Sequence, residues 1–248
     1  MKAMVLAAGL GTRLKPLTDD RPKALVEVGG RTLLEITLAR LREFGVREVI
    51  VNVHHFADMV VDYLKAKQNF GMRVEVSRED DLLLDTGGGL KKAGSFFLRD
   101  ADSLDQPFIL HNVDVISTID LGRMVAFHKK HKPLATIAVQ QRESSRSLLF
   151  DEEFALCGRR VAGRSDELAG SRSAVNARAF SGIHVISPRL LKRISEEGAF
   201  SIIDVYLRLA GEGERIQAFS ADQFYWRDLG RLQDLRQAAE ELRSKSLP

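Results

Sequence analysis

The sequence predicts an α/β protein built on a doubly wound, mostly parallel sheet with a small inserted β-rich lobe. Over the first 135 residues, short apolar runs alternate with longer stretches of helical period, an order typical of a sheet covered by helices on both faces. The chain has 248 residues, 44% of them hydrophobic and 29% charged, which is enough for one large core. Beyond residue 135, short strand-like runs are separated by sequence rich in Arg, Ser and Gly.

The first half is predicted to contain about four βα units. Apolar residues recur at helical spacing over 33–44 and 59–64, and Gly45 and Gly71 follow where left-handed caps are expected. Two more crossover helices are predicted at 90–97 and 121–131. The strands between these helices are predicted at residues 4–6, 49–51, 74–76 and 108–110.

The second half is predicted to begin and end with strands around an arginine-rich lobe. The predicted strands are 135–140, 147–150, 179–186, 215–219 and 224–226, with helical sequence at 188–211 and an amphipathic helix at 232–242. The lobe is either a set of solvated hairpins or a lip that receives an anion. Seven arginines fall in it: Arg142, Arg146, Arg159, Arg160, Arg164, Arg172 and Arg178.

Charge and cysteine content exclude several classes of protein. Thirty-seven Lys and Arg against thirty-four Asp and Glu give a net charge of +3, so a nucleic-acid partner is not expected. The single Cys157 excludes an intrachain disulfide and a Cys-rich zinc site. No apolar run approaches the ~20 residues of a membrane span, and the apolar stretch 3–8 is shorter than a signal-peptide core. We therefore expect a cytoplasmic protein without a membrane partner.

A Gly-rich loop followed by cations comes directly after the first predicted strand. It runs Ala7-Ala8-Gly9-Leu10-Gly11-Thr12-Arg13, continues through Pro16-Leu17-Thr18 and reaches Pro22-Lys23. Glycines let backbone N–H groups approach phosphate oxygens, and cations neutralise those oxygens. The loop is not a Walker motif, and Leu14 stands where a dinucleotide-binding fingerprint needs its third glycine.

This stretch resembles, residue for residue, the signature of the sugar-1-phosphate nucleotidyltransferases. The resemblance implies that Ala7, Ala8, Gly9, Gly11 and Thr12 bind an incoming nucleotide, UTP or GTP. It assigns Arg13 and Lys23 to the nucleotide phosphates as catalytic cations; otherwise both are surface charges of a loop. It also implies a single domain over 1–248, with a nucleotide-binding half to about 135, a sugar-phosphate-binding half over about 136–230 and a C-terminal helix at 231–248.

Three further segments are similar to motifs of that family. Asp85-Thr86-Gly87-Gly88-Gly89 opens a predicted helix, and Gly88 is assigned to the nucleotide; a plain helix-start turn is the alternative. Asp114 follows the strand at 108–110, and Asp228 lies in Trp226-Arg227-Asp228-Leu229-Gly230. In the family these two acids hold Mg²⁺, a hard cation that takes its remaining ligands from water and phosphate. Asp114 is therefore assigned to catalysis and to the metal, and Asp228 to the metal.

The sugar is specified less well than the nucleotide. Phe180-Ser181-Gly182-Ile183 matches several relatives, so Gly182 and the nearby Asn176 are assigned to the sugar, although a strand bulge explains Gly182 equally well. Val113 replaces a common Gly, and the family's Glu-Lys-Pro segment is absent, with 156–160 in its place. His54 and His55 end the second strand, where they either border the base or serve as surface caps.

The overall pattern is most similar to the N-acetylmuramate-1-phosphate uridylyltransferases of cell-wall recycling. Mannose- and heptose-1-phosphate guanylyltransferases share nearly all of these motifs. The expected reaction is attack of a sugar-1-phosphate on an NTP to give an NDP-sugar and pyrophosphate. Because that nucleophile is already an anion, no general base is required. The alternative of another class is a nucleotide-binding regulatory protein without turnover, which the changes at Val113 and around Arg159 would permit.

Overall fold

The computed structural model describes residues 1–99, 106–170 and 176–244, with side chains described as far as Glu241. Within these residues, seven α-helices flank the strands: α1 (Leu33–Glu43), α2 (Ala57–Ala66), α3 (Asp85–Lys92), α4 (Gly94–Leu98), α5 (Leu121–His131), α6 (Ile202–Gly211) and α7 (Leu232–Ser244). None of the helices in this part of the chain combines the length and apolar character needed to cross a membrane.

Ten strands of the described residues form one large sheet. They are β1 (Lys2–Leu6), β4 (Glu48–Val53), β5 (Arg73–Arg78), β6 (Phe108–Asn112), β8 (Ala135–Gln140), β9 (Arg146–Phe150), β10 (Leu156–Val161), β11 (Glu167–Leu168), β12 (Asn176–Ile186) and β13 (Ile216–Ser220). Two small antiparallel pairs lie outside it, namely β2 (Glu27–Val28) with β3 (Arg31–Thr32), and β7 (Val115–Ser117) with β14 (Trp226–Asp228).

The sheet confirms the predicted fold class. Its order is β11-β10-β9-β12-β6-β1-β4-β5, and β8 pairs with β12 and β13 beside this path. The pairs β6-β1, β1-β4, β4-β5 and β8-β13 are parallel. The pairs that involve β12 are antiparallel. Because β12 pairs with β6 at one end and with β9 at the other, the arginine-rich lobe continues the main sheet.

Local sequence explains where the helices begin and end. The Thr32 side chain accepts a hydrogen bond from the backbone N–H of Glu35 at the start of α1, as helix-capping residues do. That helix buries Leu34, Leu38 and others against the sheet, and Gly45 follows it with φ +93°. The predicted α1, α2, α5 and first four strands are confirmed within a few residues.

Two predictions for the second half were wrong in detail. The helical stretch predicted at 188–211 is a short 3-10 turn (Pro188–Arg193) followed by irregular chain before α6. Gly198 has φ +72° there, which breaks the helical path. The strand predicted at 224–226 lies at 226–228. Strands β10 and β11 were not predicted, because β10 carries a glycine and two arginines within six residues and β11 consists of two exposed residues, so neither shows the alternation of a half-buried strand.

Three histidines are buried in the core, and none of them makes a hydrogen bond or an ion pair to a carboxylate among the described residues. Burial lowers the pKa of His111 and of His184 to about 3 and that of His128 to about 4. The His184 Nδ1 lies 3.0 Å from the Tyr206 hydroxyl, and the His128 Nδ1 lies 2.9 Å from the Thr136 hydroxyl. These rings are therefore held neutral in the folded protein.

We expect acid to destabilise the fold well before its carboxylates titrate. The unfolded chain binds protons at these histidines below about pH 6.5, whereas the folded chain does not, so stability is lost as the pH falls from about 6.5. Each histidine contributes up to about 1.4 kcal/mol per pH unit. Urea unfolding between pH 7.5 and 5 measures this loss. His128→Gln is expected to flatten the dependence, and His131→Gln, an exposed change in the same helix, is expected to leave it unchanged; equal slopes would contradict the assignment.

Candidate active site

The Gly-rich loop is held at the carboxyl end of β1 by hydrogen-bonded turns within the loop itself. Gly11 has φ +65°, and its carbonyl accepts hydrogen bonds from the Leu14 N–H at 2.8 Å and the Thr18 hydroxyl at 2.9 Å. A Cβ on Gly11 would lie 2.9 Å from the Thr18 side chain and 3.1 Å from that of Lys23. Glycine is therefore required here by backbone conformation and by close packing, and Thr18 anchors the loop.

Lys23 and Asp114 form an ion pair where the loop meets β6. The Lys23 Nζ contacts the Asp114 Oδ2, and the two side chains are only 11% and 14% exposed. Asp114 occupies the turn between β6 and β7. The preceding Val113 is buried, donates its N–H to the Leu6 carbonyl at 3.1 Å and has no positive φ. Valine therefore fits this position without strain, and the replacement of the expected glycine does not distort the turn.

Strand β14 brings Asp228 beside Asp114. In the antiparallel pair β14-β7, Asp228 is opposite Val115, and the Leu229 N–H donates to the Asp114 carbonyl at 2.8 Å. The Asp228 Oδ1 accepts the Gly230 N–H at 2.6 Å. Burial, and then the negative charge of Asp114, raise the pKa of Asp228. Two acids that are 114 positions apart in sequence thus lie at one point, next to Lys23.

Arg13 reaches the same point from the opposite side. A Cβ on Gly230 would lie 2.6 Å from the Arg13 Nη2 and 2.6 Å from the Asp228 Oδ1. The glycine of the Trp-x-Asp-x-Gly segment therefore leaves the space in which this guanidinium and this carboxylate sit. The structure brings together Arg13, Lys23, Asp114 and Asp228, the four predicted residues with charged side chains.

We expect Gly230→Ala to lower kcat/KM by at least about tenfold, because a methyl group would displace the Arg13 guanidinium and the Asp228 carboxylate from their positions. Steady-state kinetics with a thermal melt would separate this effect from unfolding. Gly94→Ala is the matched control, since a Cβ on Gly94 meets nothing within 4 Å. Equal activity in the two variants would show that the space at Gly230 is not needed.

The donor set fits a hard divalent cation. The described residues contain no group of three or more His, Cys, Asp or Glu able to hold a metal, which excludes an all-protein cage in this part of the chain. Two adjacent carboxylates, one of them already paired with a lysine ammonium, suit a cation that takes its other ligands from water and substrate phosphate.

A buried hydrogen-bond network supports the loop from below, and sequence reasoning missed it. The Asn52 Oδ1 accepts the Ala7 N–H at 2.8 Å, and the Asn52 Nδ2 donates to the Glu79 Oε1 at 2.7 Å. The Glu79 Oε2 accepts the Leu84 N–H at 2.9 Å. Glu79 is only 1% exposed, so this carboxylate ties β4, β5 and the start of α3 to the Gly-rich loop. The sequence did carry a signal for this network: a polar residue, Asn52 or Glu79, stands at the end of each of the two apolar strands β4 and β5.

The three glycines of α3 pack against protein atoms. Added Cβ atoms would lie 2.5 Å from the Phe200 ring at Gly87, 2.5 Å from the Gly198 carbonyl at Gly88 and 2.8 Å from both Asn52 and Glu79 at Gly89. The Gly88 N–H points at the Phe200 carbonyl, 3.3 Å away. Close packing of α3 therefore accounts for the glycines, and the assignment of Gly88 to the nucleotide stays a prediction.

The nearby histidine is also engaged by protein. The His54 Nδ1 lies 2.5 Å from the Glu79 carbonyl oxygen. This contact favours the capping role over a role at the base.

An open cleft of about 1290 Å³ extends from Asp228 towards the lobe. Gly182 lines it with φ +74° at a shift in the register of β12, so the predicted bulge is present. A Cβ there would lie 2.7 Å from Val115. Asn176 does not line the cleft, and its amide lies 3.4 Å from the Asp151 carbonyl. The assignments of both residues to the sugar stay predictions, and the geometry favours Gly182.

The lobe arginines divide between two faces. Arg142, Arg146 and Arg160 line the cleft. Arg159 lies on the other face of β10, paired with Glu167 at 2.7 Å and Asp204 at 2.5 Å. Arg172 lies outside the described residues. Part of the arginine-rich segment therefore faces the cleft, and part of it supports the fold.

Comparison with known proteins agrees with this arrangement. Residues 2–148 match the nucleotidyl transferase family model. Over 222 residues the chain is 34% identical to the N-acetylmuramate alpha-1-phosphate uridylyltransferase of Caulobacter vibrioides, covering 85% of each. It is 30% identical to the mannose-1-phosphate guanyltransferase of Aspergillus fumigatus, over 94% of this chain but only 62% of that protein.

A solved structure shows the same fold. The UDP-glucose pyrophosphorylase from Acinetobacter baumanii superposes with a TM-score of 0.77 at 18% identity, over 99% of this chain and 95% of that one. The signature loop, the neighbouring acids Asp114 and Asp228, and the matched family model all indicate the same family. The chain belongs to the sugar-1-phosphate nucleotidyltransferase family and is a nucleotidyltransferase.

Proposed function

We propose that this protein transfers a uridylyl group from UTP to an N-acetylated sugar-1-phosphate such as N-acetylmuramate-1-phosphate, in a magnesium-dependent reaction. The meeting of Arg13, Lys23, Asp114 and Asp228 at the carboxyl end of the sheet carries this proposal. Open α/β sheets bind ligands at that edge. The Caulobacter relative, which matches over 85% of its length, supports the choice of base and sugar.

In the proposed reaction, an oxygen of the sugar-1-phosphate attacks the α-phosphorus of UTP. The bond between that phosphorus and the oxygen bridging to the β-phosphate breaks, and pyrophosphate leaves. Arg13 and Lys23 neutralise the triphosphate, and the loop from Ala8 to Thr12 offers backbone N–H groups to it, because the Ala7 N–H is already donated to Asn52. Positioning and charge neutralisation are the main sources of rate in such transfers.

Asp114 and Asp228 would hold Mg²⁺, which supplies further neutralisation of phosphate charge when bound. Lys23 pairs with Asp114 in the structure, so the same ammonium can move between the carboxylate and a phosphate. The partly buried Asp228 is kept in place by the Gly230 N–H. These contacts hold the reacting charges in a fixed arrangement without a general base.

The charge of the cleft supports an acidic sugar. Muramate carries a carboxylate in addition to the phosphate of its 1-phosphate. The residues that line the cleft include six arginines and three acids: Arg13, Arg142, Arg146, Arg160, Arg227 and Arg231, with Glu143, Asp228 and Asp234. Arg160 and Arg227 are paired with Asp166 and Glu241, which leaves unpaired positive charge along the walls.

Pyrophosphate release over a grid of nucleotides and sugar-1-phosphates tests the proposal. UTP, GTP, CTP, ATP and dTTP are combined with muramate-, glucosamine-, mannose-, glucose- and heptose-1-phosphates, the first two N-acetylated. Turnover confined to UTP with N-acetylmuramate-1-phosphate, and abolished by EDTA, is the expected result. Turnover of GTP with mannose- or heptose-1-phosphate would replace it by the guanylyl reaction.

A further inference from the structure

Arg142 is held in the cleft without contact to any carboxylate of the residues that the structure describes. Its guanidinium carbon lies 3.8 Å from the centroid of the Trp226 ring, a stacked cation–π arrangement. One terminal nitrogen, Nη2, donates to the Phe180 carbonyl at 2.7 Å. Trp226 is fixed in turn by its Nε1–H, which donates to the Ser181 carbonyl at 2.7 Å. The side chain is therefore rigidly placed on the wall that Trp226 and β12 form.

This placement is costly for the free protein. Burial lowers the pKa of Arg142, and the charge of Asp228 is the compensating influence. The Nε–H is buried and has no hydrogen-bond partner among the described residues. A half-buried guanidinium with unfilled hydrogen-bonding capacity loses hydration without full compensation. Since the arginine lines the cleft together with Asp228, an anion in the cleft can reach the terminal nitrogens of the guanidinium, although not the buried Nε.

Strand β10, one of the strands whose residues line this cleft, offers no cation free for that anion. In β10, Cys157 is fully buried and Gly158 packs against Glu167, where a Cβ would lie 2.5 Å from the Glu167 carbonyl. Arg159 points to the other face of the sheet. Arg160 reaches the cleft, but it is held in a bidentate pair by Asp166, with both contacts at 2.8 Å.

We propose that Arg142 binds the phosphate group of the sugar-1-phosphate and so positions the attacking oxygen. Its flat guanidinium, with one N–H of Nη2 already donated to the Phe180 carbonyl, presents the other N–H groups of its two terminal nitrogens to non-attacking phosphate oxygens. The phosphate is the expected ligand, and not another group of the sugar, because Arg142 lies close enough to Asp228 to feel its charge, at the reacting end of the cleft. The proposal rests on the proposed function only in needing a sugar-1-phosphate as the second substrate.

Steady-state kinetics of Arg142→Gln and Arg142→Lys test this role. We expect Arg142→Gln to raise the KM for the sugar-1-phosphate by about 10- to 100-fold, as for loss of a charge-assisted contact. The KM for the nucleotide should change little. Arg142→Lys keeps the charge without the planar fork and should recover part of the affinity. An unchanged KM for the sugar-1-phosphate, or an equal rise for both substrates, would overturn the proposal.

A matched control separates this role from general damage to the lobe. Arg159→Gln removes an arginine only 17 positions away whose side chain faces Asp204 instead of the cleft, and it should leave both KM values unchanged. Thermal melts of all variants report folding. If Arg142→Gln does not fold, the comparison of Arg142→Lys with wild type decides, because a lysine that left both KM values at wild-type levels would exclude a bidentate contact.

A second arm distinguishes the phosphate from an acid group on the sugar. N-acetylmuramate-1-phosphate and the neutral N-acetylglucosamine-1-phosphate are compared as substrates or as competitive inhibitors. Equal loss of affinity for both in Arg142→Gln is expected. Loss confined to the acidic sugar would overturn the proposal and assign Arg142 to the sugar carboxylate. If wild type uses a different sugar-1-phosphate, the proposed substrate fails, but the same comparison with that substrate still tests Arg142.

Discussion

Asp228→Asn is expected to lower kcat/KM by at least about a hundredfold while the folded protein becomes more stable. Activity falls because a neutral amide is a much weaker ligand for a hard cation than a carboxylate. Stability rises because burial and the neighbouring Asp114 raise the pKa of Asp228. The ionised form present at neutral pH is therefore unfavourable in the folded state, and the amide removes that charge. Asparagine keeps the oxygen that accepts the Gly230 N–H.

Kinetics at saturating magnesium and thermal melts in EDTA check both halves of this prediction. A gain of about 1 kcal/mol would raise the Tm by about 2–4 °C in a chain of this size. Asp234→Asn is the matched control, because it removes one negative charge from the same cleft without touching the pair of acids. Wild-type activity in Asp228→Asn would exclude Asp228 from the metal site. A lowered Tm would contradict the argument that the ionised Asp228 carboxylate destabilises the folded state.

The same variant is expected to lose the response of the fold to magnesium. A ligand that binds only the folded state stabilises it by an amount that grows with the logarithm of the ligand concentration relative to Kd, and so raises the Tm. Wild-type protein should therefore melt at a higher temperature with magnesium than with EDTA, and Asp228→Asn should show a much smaller difference. This measurement tests the metal site without any substrate.

Sequence alone predicted the parts of this molecule that depend on short-range pattern. The parallel strands and their helices follow from apolar periodicity, and α1 follows from Thr32 and the leucines behind it. The signature loop could be located because it combines glycines, prolines and cations within 17 residues, from Ala7 to Lys23. Each of these features is local, so no knowledge of the tertiary structure was needed.

The parts that could not be predicted depend on contacts between distant segments. The glycines of α3 looked like an approach to a ligand, but only the packed structure shows Phe200 and Gly198 against them. Glu79 is an ordinary acid in sequence, and its importance comes from burial beside Asn52. Among seven lobe arginines, nothing in the sequence separates Arg142, stacked on Trp226, from Arg159 on the opposite face.

Lys23→Met is expected to lower kcat/KM by at least about a hundredfold, the scale of losing one preorganised cationic or hydrogen-bonding group at a charged transition state. It should also destabilise the protein in the absence of metal. Lys23 is the ammonium that contacts Asp114 in a nearly buried pair, and its removal leaves two neighbouring carboxylates without it. Breaking a buried pair by deleting one partner is usually strongly destabilising.

Magnesium should reverse much of that loss of stability, because the cation replaces the missing positive charge between Asp114 and Asp228. The Tm of Lys23→Met is therefore expected to lie below that of wild type in EDTA and to approach it with saturating magnesium, while activity stays low in both. Lys15→Met changes an exposed lysine of the same loop, paired with Asp19 at 3.2 Å, and should alter neither quantity. If the Tm deficit of Lys23→Met were the same with and without magnesium, the two acids and the lysine would not share one cation site.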